Sequence, residues 1–209
     1  MICVMLHSTL PYITSMRNDF NKAYYDRFYR DPGTRAVSPA AAKRQATFIG
    51  GYLRYMEVPV RRIADVGCGL GHVLTALGNE YPKAKTIGVE YSDYLCEKYG
   101  WDKGSVVDYK NRHPFDLVVC NDVLAYLTDK QCSTAIANLA SLTRSAAFLG
   151  VLTAEDWELC DQKRTDPEQY LRSKAWYQRR LSKHFVSLGG GMYLKKPLDY
   201  PVWTLDRVF

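Results

Sequence analysis

I-A-D-V-G-C-G-L-G-H-V-L, residues 63–74, is the stretch on which the reading of this chain turns. An apolar run leads into three glycines at alternate positions, Gly67, Gly69 and Gly71, and then into a segment with helical spacing. Glycines permit a tight turn and let a ligand approach the backbone. The helix that follows offers N–H groups to an anion or a carboxylate. A dinucleotide fingerprint, G-x-G-x-x-G, would place its third glycine at position 72. Position 72 is His72 and the third glycine is Gly71, which counts against a nicotinamide enzyme. Asp65 stands two residues before the first glycine.

Outward from this stretch, short apolar runs alternate with helical ones. Strands are expected at Ile63–Val66, Thr86–Val89, Val106–Val107, Leu117–Cys120 and Ala146–Leu152. Helices are expected near 71–80, 92–99, 129–142 and 167–184. This alternation predicts an α/β fold, a doubly wound and mostly parallel sheet with helices on both faces. Toward the end, Met192–Leu194 and Val202–Val208 read as a C-terminal antiparallel hairpin. On the other side, Ser38-Pro39 is a helix start, with Ser as N-cap and Pro at the first helical position, and Val58-Pro59 ends that helix. An aromatic stripe, Phe20, Tyr24, Tyr25 and Phe28, marks a shorter helix over Asn18 to Tyr29. Two parts are therefore expected: an N-terminal helical arm or lid over 1–57 and a ligand-binding domain over 58–209.

Composition agrees with a globular chain. Of 209 residues, 47% are hydrophobic and 24% charged, which excludes disordered, collagen-like and coiled-coil classes. No apolar window is long enough for a membrane helix, and residues 1–16 lack the basic start and cleavage site of a signal peptide. The six cysteines, Cys3, Cys68, Cys96, Cys120, Cys132 and Cys160, form no C-x-x-C pair, so reduced thiols in a cytoplasmic protein are expected, with no metal site. The net charge of +6 is segregated. Residues 1–60 hold 8 Lys and Arg against 4 Asp and Glu, and residues 161–209 hold 10 against 5, while the middle is acidic with 10 against 13. Either these ends are ordinary solvated surface or they meet over one opening and attract an anionic partner.

Three further segments carry chemistry. T-I-G-V-E, residues 86–90, ends a strand on Glu90, 23 positions past Gly67. An acid there accepts two hydrogen bonds from a ribose diol. G-S-V-V-D-Y, residues 104–109, places Asp108 at the end of the next expected strand, where a carboxylate accepts a hydrogen bond from an exocyclic amine. F-D-L-V-V-C-N-D, residues 115–122, brings Asn121 and Asp122 to the carboxyl edge of the sheet, where open α/β sheets bind ligands.

With D-V-G-C-G-L-G at 65–71, G-V-E at 88–90, V-V-D at 106–108 and V-V-C-N-D at 118–122 in this order, the sequence resembles the class I S-adenosylmethionine-dependent methyltransferases. The resemblance covers roughly 61–155 and, more weakly, the C-terminus. It implies a Rossmann-like, seven-stranded sheet with its last strand inserted antiparallel. It also implies S-adenosyl-L-methionine as cofactor. Asp65 and the backbone through Gly67, Cys68, Gly69 and Gly71 would hold the methionine end, Glu90 with Tyr91 the ribose, Val107 and Asp108 the adenine, and Asn121 and Asp122 would lie by the methionine moiety. The segment C-N-D-V departs from the N-P-P-Y or D-P-P-Y of enzymes that alkylate exocyclic or amide nitrogens, so that chemistry is disfavoured.

Methyl transfer from a sulfonium needs alignment and a dry site, and a base only for a protonated nucleophile. His72, His113 and His184 are candidates by type alone, and no position is assigned as the base. A substrate cover is expected from Tyr24, Tyr25 and Arg35 in the arm and from Glu155 and Trp157 after the fifth strand, with Trp176 and Tyr177 beyond. Packing explains the aromatic residues equally well. The expected function is methyl transfer to a small molecule, an acidic one among the candidates. RNA or protein methylation is the alternative the basic ends favour, and a non-catalytic methyltransferase-like binding subunit is the third. Oligomeric state is left open.

Overall fold

The computed structural model describes residues 20–35 and 38–208, so Cys3 and the segment read against a signal peptide lie outside the described residues. Seven strands form one sheet: β1 (Arg62–Val66), β2 (Lys85–Glu90), β3 (Asp102–Lys103), β4 (Phe115–Asn121), β5 (Thr143–Gly150), β6 (Phe185–Gly189) and β7 (Met192–Lys195). Their order is β3-β2-β1-β4-β5-β7-β6. The pairs from β3 to β5 are parallel, and β7 lies antiparallel between β5 and β6. The strand order turns at β1 and β4, and it is at such a switch that parallel sheets open a crevice.

The central strands are apolar on both faces because helices cover both. In β4, Leu117 and Val119 join one core with Ile63, while Val118 and Cys120 join the other with Ala64 and Val66. On the first side lie α2 (Pro39–Tyr55) and α3 (His72–Glu80), contributing Ile49, Leu53 and Leu77. On the second lie α5 (Asp129–Leu142) and α7 (Lys174–Leu181), contributing Ile136, Leu139 and Leu181. The start of α2 follows its sequence signal: the Ser38 side chain accepts from the Ala41 N–H and Pro39 is the first helical residue. Thr128 and Gln131 form a capping box at the start of α5. The remaining helices are α1 (Lys22–Tyr25), α4 (Asp93–Tyr99) and α6 (Ala154–Trp157).

Four expectations are corrected. Val106–Val107 is not a strand. The third strand is Asp102–Lys103, and residues 105–108 form a turn whose carbonyls at Val106 and Tyr109 accept from the Asn138 side chain of α5, 3.0 Å each. A side chain thus supplies the partners a strand would have supplied. The C-terminal hairpin joins β6 to β7 across Gly189–Gly191. Val202–Val208 holds only a 3-10 turn at Thr204–Asp206 and one tie from the Val208 N–H to the Ser187 carbonyl. All three glycines have positive φ, so the tight connection is theirs. The helix expected over 167–184 is confined to Lys174–Leu181. The aromatic helix runs as α only to Tyr25 and widens to a π turn over Asp26–Arg30, closed by the Asp31 N–H on the Asp26 carbonyl at 2.9 Å. Tyr29, within that widening, faces the same opening as Tyr24 and Tyr25 of the preceding turn.

Candidate active site

The glycine turn is built by β1 and β2 together. Val66 pairs with Val89, and the Gly67 and Cys68 N–H groups both donate to the Val89 carbonyl, 2.8 and 3.1 Å. The next residue, Glu90, then sits under the turn. Its Oε2 accepts from the Gly69 N–H at 2.8 Å, and its Oε1 accepts from the N–H groups of Tyr91 and Ser92, 2.8 and 3.0 Å. The Tyr25 hydroxyl reaches Oε1 at 3.5 Å. Gly67, Gly69 and Gly71 all have positive φ. A side chain at Gly67 would meet Val123 at 2.2 Å and one at Gly71 would meet Trp101 at 2.5 Å, while Gly69 has nothing nearer than Tyr29 at 3.9 Å. Gly69 is therefore the open bead of the turn. The N–H groups at 67, 68, 69 and 71 are spent within the protein, so the free donors expected of this turn are not at those positions. The turn presents instead a shaped backbone and a carboxylate.

Above the turn is a cavity of about 670 Å³ at the carboxyl edge of β1, β2 and β4. Of the residues expected to bind, Gly67, Gly69, Glu90, Tyr91, Val107, Asn121 and Asp122 line it, as do Tyr24 and Tyr25 of α1. Asp65, Cys68 and Gly71 stand behind the wall: Asp65 and Cys68 are buried, and Gly71 packs against Trp101. Asp108 is exposed in the turn and outside the lining, since the strand meant to carry it does not form. Arg35, Glu155 and Trp157 do not line the cavity either. Glu155 instead accepts from the Lys174 N–H at 2.9 Å.

The far wall was not anticipated. Tyr126, Leu127, Thr128 and Gln131 come from the link between β4 and α5, and Glu168, Gln169 and Tyr170 from the irregular segment before α7. Tyr126 lies four residues past Asp122, a spacing the sequence displays, whereas nothing local marks residues 168–170. The Tyr24 and Tyr126 hydroxyls are 3.1 Å apart, and Tyr126 donates to Asp166 Oδ2 at 3.3 Å. Asp166 is buried, and its other oxygen accepts from the Glu168 N–H. Burial first, then the charge and hydroxyl of Tyr24, push the Tyr126 phenol well above its usual range, so it stays protonated.

Two acids near the turn are perturbed. Asp65 is 3% exposed, and burial, helped by the charge of Glu90, pushes its carboxyl up to about 7. Asp122, at positive φ at the end of β4, is raised by the enclosing walls. Asp65 has a measurable consequence. Its folded pKa is above its unfolded one, so the native state holds the extra proton between about pH 4 and 7. Stability is therefore expected to fall as pH rises through that window, by up to about 1.4 kcal/mol per pH unit. Asp65→Asn should remove the slope, and urea denaturation between pH 4.5 and 8 reads it. Identical slopes in both proteins would rule out the assignment.

Residues 64–149 match the family model described as a methyltransferase domain. That segment is similar to this family over about two fifths of the chain. Over 83 residues the chain is 35% identical to a malonyl-[acyl-carrier protein] O-methyltransferase of Legionella pneumophila, which spans 34% of this chain and 29% of that protein. The chain thus spans about three tenths of the length of that relative. Among solved structures it resembles magnesium protoporphyrin IX methyltransferase from Synechocystis with bound S-adenosylhomocysteine, at 17% identity and TM-score 0.59, covering 87% of this chain and 98% of that one. An S-adenosylmethionine-dependent methyltransferase from Clostridium acetobutylicum gives 13% and 0.59, with 82% and 95% covered. A sugar N-methyltransferase from Streptoalloteichus gives 22% and 0.54, with 73% and 62% covered. At these identities the structural likeness is one of fold, and it covers more of the chain than the matched segment.

Among the described residues no helix is long and apolar enough to cross a membrane, and no group of His, Cys, Asp and Glu gathers as a metal site. Cys68, Cys96, Cys120, Cys132 and Cys160 are free.

Proposed function

We propose that the chain is an S-adenosylmethionine-dependent methyltransferase acting on a small molecule. The observation that carries this is the single cavity joining the glycine turn and Glu90 to a wall of tyrosines and amides. Its residues suit the cofactor. Glu90 Oε2 has one donor and room for another, the turn is open at Gly69, and Asn121 and Asp122 line the cavity beside it. Bound there, S-adenosylmethionine supplies an electrophilic methyl group on a sulfonium. The chain supplies the rest. Glu90 and Tyr91 are assigned to the ribose, Val106 and Val107 to the adenine, and Asn121 and Asp122 to the methionine end. Tyr24, Tyr25 and Tyr29 form a dry aromatic wall favourable to a cation. An acceptor carrying an O–H or N–H has a proton path: its proton passes to the Tyr24 oxygen, that of Tyr24 to Tyr126, and that of Tyr126 to the Asp166 carboxylate. A carboxylate acceptor needs no such path.

A small acceptor is favoured because α1 and residues 168–170 enclose the cavity. The basic ends do not favour a macromolecule at this opening, since Arg179, Arg180 and Lys183 border a different cleft that shares no lining residue with it. Calorimetric titration with S-adenosylhomocysteine should give saturable binding with a micromolar Kd. Absence of binding heat, confirmed by unchanged thermal stability, would leave only an interaction module.

A further inference from the structure

On the sheet face opposite α2 and α3, a second cavity of about 380 Å³ opens between α5 and α7. Its α7 side is formed by Arg179, Arg180, Lys183 and His184, and its α5 side by Ser133 with two apolar residues. The lining holds no carboxylate, and Arg179, Arg180 and Lys183 form no ion pair among the described residues. Arg54, Arg144 and Arg172, by contrast, each pair with an acid. Three uncompensated cations in a concavity repel one another, and low-dielectric walls concentrate their field on whatever enters.

The arrangement is also partly rigid. The Arg180 guanidinium lies over the Trp176 ring, 3.4 Å from its centroid. Its Nε donates to Ser133 Oγ at 2.9 Å and one terminal nitrogen to the Trp176 carbonyl at 3.1 Å. The other terminal nitrogen has no protein acceptor among the described residues. A fixed guanidinium loses little entropy on gripping an anion, and its planar fork suits phosphate oxygens. Lys195 and Lys196, just past the cleft, are tied to the Ala140 and Ser182 carbonyls, which neutralise neither charge. The cleft is therefore suited to a ligand with more than one negative charge and several acceptor oxygens.

We propose that the α5–α7 cleft is a binding site for a small phosphate-bearing anion, separate from the methyl-transfer cavity and independent of its assignment. Arg180 holds the anion in a fixed geometry, and Arg179 and Lys183 supply charge from the exposed rim. Inorganic pyrophosphate, glycerol 3-phosphate and sodium sulfate are the probes, titrated by calorimetry and by amide NMR shifts at about 50 mM salt. The expected result is pyrophosphate binding with a Kd below about 1 mM, shifts confined to α5 and α7, and an affinity that falls steeply as salt rises. Glycerol 3-phosphate should bind within tenfold of pyrophosphate if the source is a phosphate ester, and much more weakly if it is free polyphosphate. Arg179→Gln with Lys183→Gln, both at solvent-facing positions, should weaken binding at least tenfold and leave the melting temperature and S-adenosylhomocysteine binding unchanged. Three outcomes overturn the proposal: no pyrophosphate binding, equal affinity for sulfate and pyrophosphate, or affinity retained in the double variant. A single-stranded RNA oligonucleotide binding a hundredfold tighter than any small anion would also overturn it, in favour of a nucleic-acid surface.

Discussion

Arg172→Met is expected to destabilise the protein by about 2–4 kcal/mol and to loosen one wall of its cavity. Arg172 is 6% exposed, an unusual place for a charge. Its Nε donates to Asp129 at 2.7 Å, and its terminal nitrogens reach the carbonyls of Leu124, Leu127 and Tyr170 and the Tyr177 hydroxyl. The guanidinium also packs over Trp176, 4.7 Å from the ring centroid. Asp129 is 70% exposed and would simply rehydrate, so the ion pair itself is a small part of the cost. The larger part is the set of buried acceptors left without donors. Met fills much of the volume and makes none of these bonds. Arg172→Lys keeps the charge but not the fork, and should lose about 1–2 kcal/mol. The segment 166–172 is also tied by the Tyr126 hydroxyl to Asp166, the Tyr170 N–H to the Ala125 carbonyl and the Ala154 N–H to the Arg172 carbonyl. Freed of Arg172, it should open to proteases between residues 158 and 171. Urea denaturation and limited proteolysis check both parts. A variant as stable as the parent, or cut no faster, would show that the segment is held by something else.

Arg172 also shows where sequence reasoning reached its limit. The strands β1, β2 and β4 and the helix α5 are legible because each is a local event: an apolar run, a capping box, a glycine turn. Glu90 is legible for the same reason, as an acid at the end of a strand following that turn. The wall formed by Glu168, Gln169 and Tyr170 is not local. It stays in place because one distant arginine joins carbonyls of the β4–α5 link, Leu124 and Leu127, to the Tyr170 carbonyl, and no spacing in R-T-D-P-E-Q-Y-L-R announces that. The strand expected to end on Asp108 shows the opposite case. V-V-D has the composition of a strand, yet Asn138 reaches in from α5 and takes the carbonyls at 106 and 109, so the segment turns and the acid faces water. The hairpin was displaced for a third reason. The alternation in V-W-T-L-D-R-V imitates a strand, but the β7 edge it would pair with is already occupied by β6.

Glu90→Ala should abolish tight S-adenosylhomocysteine binding, with a loss of about 2–4 kcal/mol in affinity and about 2 kcal/mol in stability. The two losses have different origins. Affinity falls because the ribose loses the carboxylate assigned to it. Stability falls because the carboxylate, 5% exposed, also accepts from three N–H groups, those of Gly69, Tyr91 and Ser92. Alanine leaves them buried without partners and unties the glycine turn from β2. Glu90→Gln separates the effects. Its amide has one acceptor oxygen and one donor nitrogen, so the nitrogen must face either the Gly69 N–H or the Tyr91 and Ser92 pair. Turning it toward Gly69 retains two of the three bonds and sets two donors against each other at the open bead of the turn, where the ligand is placed. The glutamine variant should therefore recover most of the stability while binding remains at least tenfold weaker than in the parent. Calorimetry with S-adenosylhomocysteine and urea denaturation of both variants give the two readings. Full affinity in the alanine variant would remove Glu90 from the ribose, and with it the assignment of this cavity to an adenosyl cofactor.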